Sequence, residues 1–242
     1  MGKKGANTFR MGNNQSLGAV EVLETPFHKR VMRLFLIRHG AVKPPRPGMF
    51  YGGSEVPLSD LGQQEARRAG DAMRHRALDR LWASPLSRAR FGAECVLEGR
   101  EGLDIQTQDG FREIARGRWV GLTAEEIDRQ FPKDRESHRR DPWNWRDHGG
   151  ESLGDFRTRV LRSWEPLERE CLEHEQATGL PLQVCLVSHL FPTRAILAHY
   201  QGVDLEAWDK FAIPTASISE LEVQGPGRAE LLRVGWKPEE TT

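Results

Sequence analysis

Short apolar runs alternate with longer amphipathic segments along most of the chain. The runs VMRLFLI (31–37), LDRLWA (78–83) and PLQVCLVSH (181–189) each have the length and composition of a strand buried on both faces of a sheet. Amphipathic segments follow each run and predict helices, the first of them capped by Ser59. Because strands alternate with helices, the pattern predicts an α/β fold with a mostly parallel sheet.

The second half of the chain carries the strongest helix signal, in ESLGDFRTRVLRSWEPLERECLEHE (151–175). Its apolar stripe has spacings of four, four, three and four residues and consists of Phe156, Val160, Trp164, Leu167 and Cys171. Ser152 is the predicted N-cap of this helix, and Thr123 with Glu126 predicts a capping box for a shorter one. The segment 217–236 predicts a terminal antiparallel hairpin, and the polar segment 132–150 predicts a loop.

The composition limits which partners the chain is expected to bind and in which compartment it is expected to occur. Lys+Arg and Asp+Glu each number 35, so a net charge of zero provides no global field for nucleic acid or an anionic membrane. The three cysteines contain no C-x-x-C pair, which favours a reducing cytoplasmic location. No apolar run approaches the ~18 residues of a membrane span. Residues 1–30 are predicted to be a disordered extension that precedes one domain, 31–242. The sequence predicts no oligomeric state.

Each predicted strand ends in polar side chains that suit a ligand site. The first strand leads to Arg38 and His39, the second to Ser84 and then Arg88, and the third to Ser188 and His189. Ligands of open α/β sheets bind outside the carboxyl ends of the strands, so these residues are expected to converge. Two guanidinium groups can neutralise a phosphoryl group, and an imidazole nitrogen can attack its phosphorus.

Six segments, in this order, carry a resemblance that extends over residues 32–223: LIRHG, YGGSEVPLSDLG, ASPLSRARFGAE, FREIARGRWVGLT, GGESLGDFRTRV and VSHLFPTRAIL. The chain resembles the histidine phosphatase superfamily, also called phosphoglycerate mutase-like, and within it the α-ribazole phosphatase group. This resemblance implies a three-layer α/β/α fold. It also implies hydrolysis of a small phosphomonoester, such as α-ribazole phosphate or a sugar phosphate, without a metal or other cofactor.

The resemblance also implies catalytic roles for five residues. His39 would be the nucleophile that becomes phosphohistidine, and Arg38 and Arg88 would clamp the phosphate. His189 would donate a hydrogen bond to the transferring oxygens. Glu113 would protonate the leaving alcohol and then activate water. These roles require a neutral His39, which nearby cations favour, and a protonated Glu113, which a bound phosphate dianion favours.

Other positions bear on the substrate. Tyr51 and Gly52 match a loop that helps to line the substrate pocket in the family. Many relatives continue the first motif as RHGET or RHGES and have glycine after the second histidine, whereas this chain has Ala41, Val42 and Leu190. Leu190 is therefore expected to restrict backbone approach or to narrow the pocket.

Three other functions were considered. A cofactor-dependent phosphoglycerate-type mutase resembles RHGESxWN and ERHYGxLQG, where this chain has RHGAVKPP and REIARGRWVG, so hydrolysis is the better prediction. A non-catalytic module would bind phosphate without turnover. GESLG (150–154) matches the G-x-S-x-G elbow of serine esterases, but the preceding residues are too polar for the buried strand that this motif needs.

A cap-like insert is predicted at about 123–150, and it contains Trp143 and Trp145. Two interpretations of these tryptophans stay open. They line a pocket for an organic leaving group, or they pack the insert onto the domain.

Overall fold

A computed structural model describes residues 32–203, 208 and 210–239. The predicted disordered extension, 1–30, lies outside the described residues. The strands and α-helices occur in the order β1 (Met32–Arg38), α1 (Asp60–Met73), β2 (Arg80–Ala83), α2 (Ser87–Leu97), β3 (Ile105–Thr107), α3 (Ala124–Gln130), α4 (Pro132–Arg140), α5 (Leu153–Thr178), β4 (Leu182–Ser188), α6 (Leu190–Gln201), β5 (Ile218–Gly225) and β6 (Arg228–Trp236). Within the described part of the chain, no helix is both long and apolar enough to cross a membrane.

One sheet of six strands runs through the molecule in the order β3-β2-β4-β1-β5-β6. β3, β2, β4 and β1 are parallel to one another, and the predicted hairpin β5–β6 continues the sheet antiparallel to β1. Arg38 pairs with Ser188, and Ala83 pairs with Val187. The carboxyl ends of β1, β2 and β4 therefore lie side by side, as the strand-end pattern predicted.

Helices cover both faces of the sheet because β1 is apolar on both sides. Leu34 and Leu36 pack in a core with α5 and α6, whereas Phe35 and Ile37 pack in a second core with α1 and α2. This arrangement follows from the alternation of side chains along a strand. The predicted three-layer α/β/α fold is confirmed.

The longest helix, α5, begins and packs as its sequence predicts. The Asp155 backbone N–H donates to Ser152 Oγ at 3.1 Å, which makes Ser152 the N-cap. All five residues of the predicted apolar stripe are buried. The helix ends at Gly179, whose φ of 72° is left-handed and is therefore readily adopted by glycine.

Two elements differ from the sequence-based expectation. Residues Pro132–Arg140 form α4, where a polar loop was predicted. The helix has almost no apolar stripe, but proline occupies its first turn and Asp134 lies near its N-terminus. Arg139 and Arg140 complement the helix dipole at its C-terminus. The other difference is β3, whose three residues are too few to show a strand period.

Aromatic contacts hold the insert (123–150) against the domain. Trp119 stacks on Trp145 with ring centroids 5.4 Å apart, and Trp145 stacks on His148 at 4.9 Å. Arg118 donates two hydrogen bonds to Asp134, at 2.9 and 2.7 Å. Trp145 therefore packs the insert, in agreement with the second of the two interpretations of the tryptophans.

Candidate active site

His39 follows the last residue of β1 and is fixed through its backbone. Its N–H donates to the Ser188 carbonyl, and its own carbonyl accepts from the Ala216 N–H, each at 3.0 Å. The next residue, Gly40, lies so close to α1 that a Cβ on it would be 2.0 Å from the Gly62 carbonyl oxygen. Only glycine fits there, which explains the R-H-G motif: the chain turns tightly and places the imidazole at the edge of the sheet.

The His39 ring is held as a neutral imidazole with a defined tautomer. Its Nδ1 lies 2.7 Å from the Gly40 carbonyl oxygen, which can only accept a hydrogen bond, so Nδ1 carries the hydrogen and Nε2 keeps its lone pair. Burial and, after it, the positive charges of Arg88 and Arg38 lower the pKa of His39 to about 3, against the opposing effect of the Gly40 carbonyl. His39 is therefore an unprotonated imidazole at neutral pH.

His189 lies at the end of β4, edge-on to His39, with the ring centroids 5.0 Å apart. Its Nε2 is 2.7 Å from Ser84 Oγ, and that oxygen accepts from the Leu86 N–H at 3.3 Å. When the Ser84 hydroxyl donates to Nε2, the ring hydrogen lies on Nδ1. Nδ1 is buried and has no hydrogen-bond partner among the described residues. Burial, with the nearby His39 and arginines, lowers the pKa of His189 well below its usual value.

Arg38 and Arg88 flank the two histidines and contact backbone carbonyls. Arg88 donates to the Ser54 and Gly52 carbonyls at 2.7 and 2.9 Å, and Arg38 donates to the Ile213 carbonyl at 2.7 Å. The Nε atoms of both arginines are buried and have no partner within the described part of the chain. Burial lowers the pKa of each guanidinium, yet arginine stays charged at any physiological pH. The result is a buried, doubly positive site that suits an anion.

Glu113 lies 9 % exposed at the edge of this positive site. The Ile114 N–H donates to its Oε1 at 3.0 Å, and the Phe191 N–H approaches its Oε2 at 3.5 Å. Burial raises the pKa of Glu113, whereas the Ile114 N–H and the charges of Arg116 and Arg38 oppose the rise. A raised pKa favours the protonated carboxyl group, which is the form that a general acid requires.

The residues predicted to bind substrate occupy two different environments. The Arg88 Cζ lies 5.4 Å from the centroid of the Tyr51 ring, and Gly52 has a φ of 46° and accepts a hydrogen bond from Arg88. Both loop residues therefore lie beside the anion site. Leu190 begins α6 and packs, partly buried, against the core on the α5–α6 side.

The G-x-S-x-G match is explained by the helix cap. Ser152 Oγ accepts from the Asp155 N–H and donates to the Asp155 carboxylate at 2.9 Å. The segment before it is the polar insert rather than a strand. The arrangement agrees with the prediction that Ser152 is a cap and not an esterase nucleophile. Among the described residues, no group of three or more His, Cys, Asp or Glu side chains is arranged to hold a metal ion.

Comparisons with known proteins agree with this geometry. The family model described as "Histidine phosphatase superfamily (branch 1)" matches residues 34–237. The chain belongs to this superfamily. Phosphoserine phosphatase 1 of Hydrogenobacter thermophilus is 28% identical over 194 residues, which cover 80% of this chain and 88% of that protein. Glucosyl-3-phosphoglycerate phosphatase of Mycolicibacterium vanbaalenii is 31% identical over 182 residues, which cover 74% and 78%.

A solved structure of this superfamily extends the agreement to the fold. The α-ribazole phosphatase from Shigella flexneri has a TM-score of 0.76 and 22% identity, covering 87% of this chain and all of that chain (100%). The predicted superfamily and the assignment as a phosphatase-type enzyme are therefore confirmed. The roles of individual residues and the substrate stay predictions.

Two features of the site were not anticipated from the sequence. Ser84 was noted at the end of a strand, but its hydrogen bond to His189 depends on the pairing of β2 with β4. The second feature is Arg116. The structure places its guanidinium over the Phe191 ring, with Cζ 5.0 Å from the ring centroid. The motif FREIARGRW contains this arginine, but nothing in the spacing indicates which aromatic ring it contacts.

Proposed function

We propose that this chain hydrolyses small organic phosphomonoesters through a phosphohistidine intermediate on His39, without a metal ion. The observation that carries the proposal is the state of His39: a neutral imidazole with a free Nε2 lone pair, close to the positive charges of Arg88 and Arg38. Arg38 and Arg88 supply the positive charge that a metal ion provides in other phosphatases. The names of the relatives support a small phosphate ester as substrate, as in phosphoserine or glucosyl-3-phosphoglycerate.

The proposed reaction has two steps that balance in charge and protons. In the first, Nε2 of His39 attacks phosphorus, the ester P–O bond breaks, and Glu113 gives its proton to the leaving oxygen. In the second, Glu113 takes a proton from water, the water oxygen attacks phosphorus, and the P–N bond breaks to release inorganic phosphate. Nδ1–H of His189 donates to a nonbridging oxygen in both transition states.

The state of the cysteines favours a cytoplasmic location for this activity. Cys95, Cys171 and Cys185 are free thiols rather than disulfides. A reducing compartment keeps such thiols free.

Hydrolysis of p-nitrophenyl phosphate in the presence of EDTA tests the proposal, with wild type, His39→Ala and the matched variant His75→Ala. His75 is exposed on the surface and serves as the control for loss of an imidazole. The expected result is turnover by wild type and His75→Ala and none by folded His39→Ala. Equal turnover by wild type and His39→Ala would exclude His39 as the nucleophile. Phosphate binding without turnover would favour a binding module, and transfer to an added alcohol without phosphate release would favour a mutase.

A further inference from the structure

A cleft of about 910 Å³ opens beside Glu113, on the side where the leaving group of a phosphate ester would lie. Its volume is near the upper end of small-molecule sites, so it accepts a leaving group of considerable size. Its lining contains several residues of either charge. The basic ones are Arg112, Arg116, Arg159 and Arg162.

Two of these arginines are already paired. Arg112 Nε donates to Asp109 at 3.0 Å. Arg159 donates two hydrogen bonds to the Glu151 carboxylate, at 2.6 and 2.7 Å. The acidic residues Asp109 and Glu151 are neutralised in the same way, so none of these four residues leaves free charge in the cleft. Within the described residues, Arg116 and Arg162 form neither a hydrogen bond nor an ion pair.

Arg116 is held by rings rather than by polar partners. Its Cζ lies 5.0 Å from the centroid of Phe191 and 5.8 Å from that of Phe50. A Cβ on Gly52 would lie 2.8 Å from Arg116 Cγ, so glycine there leaves room for the arginine side chain. Stacking fixes the plane of a guanidinium while leaving its N–H donors unused. Arg162, in contrast, is exposed on α5 at the rim of the cleft.

The position of Arg116 relates it to the leaving group. Phe191, on which it stacks, approaches Glu113 with its backbone N–H, and Gly52, on which its stem packs, accepts a hydrogen bond from Arg88. Arg116 therefore lies between the proposed acid and the loop that contacts the phosphate clamp. When Glu113 is protonated, as the proposed reaction requires, the carboxylate that remains near Arg116 is Glu151, and Arg159 already engages it with two hydrogen bonds. A carboxylate of the substrate would supply a free negative charge beside Arg116 and accept two parallel N–H bonds from its guanidinium.

We infer that Arg116 binds a carboxylate of the leaving group, so that the substrates are phosphate esters of hydroxy acids. This inference rests on the proposed phosphatase function and adds to it the chemical class of the leaving group. A neutral sugar or nucleoside as the whole leaving group would leave the donors of Arg116 unmatched in a half-buried site, which costs binding free energy.

Two substrate pairs test the inference, because the members of each differ in one carboxylate. The pairs are O-phosphoserine with O-phosphoethanolamine, and 3-phosphoglycerate with glycerol 3-phosphate. Wild type is expected to favour the carboxylate member by about 10- to 100-fold in kcat/KM, the range for hydrogen bonds to a charged group. In Arg116→Met the ratio should fall towards one, chiefly through a higher KM for the carboxylate member. Arg162→Met, which also removes one positive charge from the cleft, should keep the wild-type ratio.

Several results would overturn the inference. They are a wild-type ratio near one, a ratio that survives in Arg116→Met, and a ratio that is lost in Arg162→Met. An equal loss of kcat/KM for all four substrates in Arg116→Met, with a shifted pH profile, would mean that the arginine acts only on the pKa of Glu113. If folded wild type hydrolysed neither these esters nor p-nitrophenyl phosphate, the proposed function would fail, and this inference would fail with it.

Discussion

The neutral state of His39 makes a quantitative prediction about stability and pH. Burial and the two arginines hold its pKa at about 3 in the folded protein, against 6.5 for an ordinary histidine. As the pH falls below 6.5, the unfolded chain binds a proton that the folded chain does not. Folding stability therefore decreases as the pH is lowered from 6.5 to 3. Above and below this window, His39 makes no pH-dependent contribution to the free energy of unfolding.

The magnitude follows from the two pKa values. Each pH unit inside the window corresponds to about 1.4 kcal/mol for one proton, so the full window corresponds to about 5 kcal/mol. Between pH 7 and pH 5 the expected loss from His39 alone is about 2 kcal/mol. His189, whose pKa is also lowered, adds a loss of the same sign. Substitution of His39 alone removes the contribution of its own imidazole and leaves that of His189.

Urea unfolding at several pH values measures this effect in wild type, His39→Gln and the exposed control His75→Gln. Wild type and His75→Gln should lose about 2 kcal/mol more than His39→Gln between pH 7 and pH 5. Parallel curves for wild type and His39→Gln would refute the reasoning, since they would mean that His39 binds its proton equally well in the folded and unfolded chains.

Three further predictions concern neighbouring residues. Ser84→Ala should lower the free energy of unfolding by about 1–3 kcal/mol, measured in urea, because His189 Nε2 and the Leu86 N–H lose a buried partner; an unchanged stability would contradict this hydrogen-bond chain. Glu113→Gln should slow breakdown of the phosphoenzyme by about 10²–10⁴-fold while p-nitrophenolate, a good leaving group, still departs in a rapid burst; a variant with wild-type steady-state turnover would exclude Glu113 as the base. Gly40→Ala should unfold at a clearly lower temperature, because its Cβ would lie 2.0 Å from the Gly62 carbonyl oxygen. An unchanged melting temperature would show that α1 moves to make room without loss of stability.

Features that depend on neighbouring residues along the chain could be predicted from the sequence. The caps at Ser59, Thr123 and Ser152 are encoded within three or four residues, and all three are observed. The buried strands and the α5 stripe are likewise encoded in a local period. The expectation that the strand ends converge needed one general rule about parallel sheets and no contact information.

Features that depend on distant residues could not be predicted in the same way. The hydrogen bond between Ser84 and His189 joins residues 105 positions apart and follows from the register of β2 on β4. The environment of Arg116 requires Phe50 and Phe191 to meet from separate loops and helices. The helix α4 lacks an apolar stripe, so the period that identifies other helices is missing from its sequence.

In the proposed reaction His39 carries the phosphoryl group, and trapping the phosphoenzyme shows whether it does. Glu113→Gln would be mixed with p-nitrophenyl phosphate, denatured in alkali to preserve phosphohistidine, digested and mapped by mass spectrometry. We expect one phosphoryl group on the His39 peptide and none on the His189 peptide. The double variant Glu113→Gln/His39→Ala should carry no phosphoryl group on any peptide. A burst of p-nitrophenolate with the phosphoryl group on another residue, or with no phosphorylated residue at all, would contradict it.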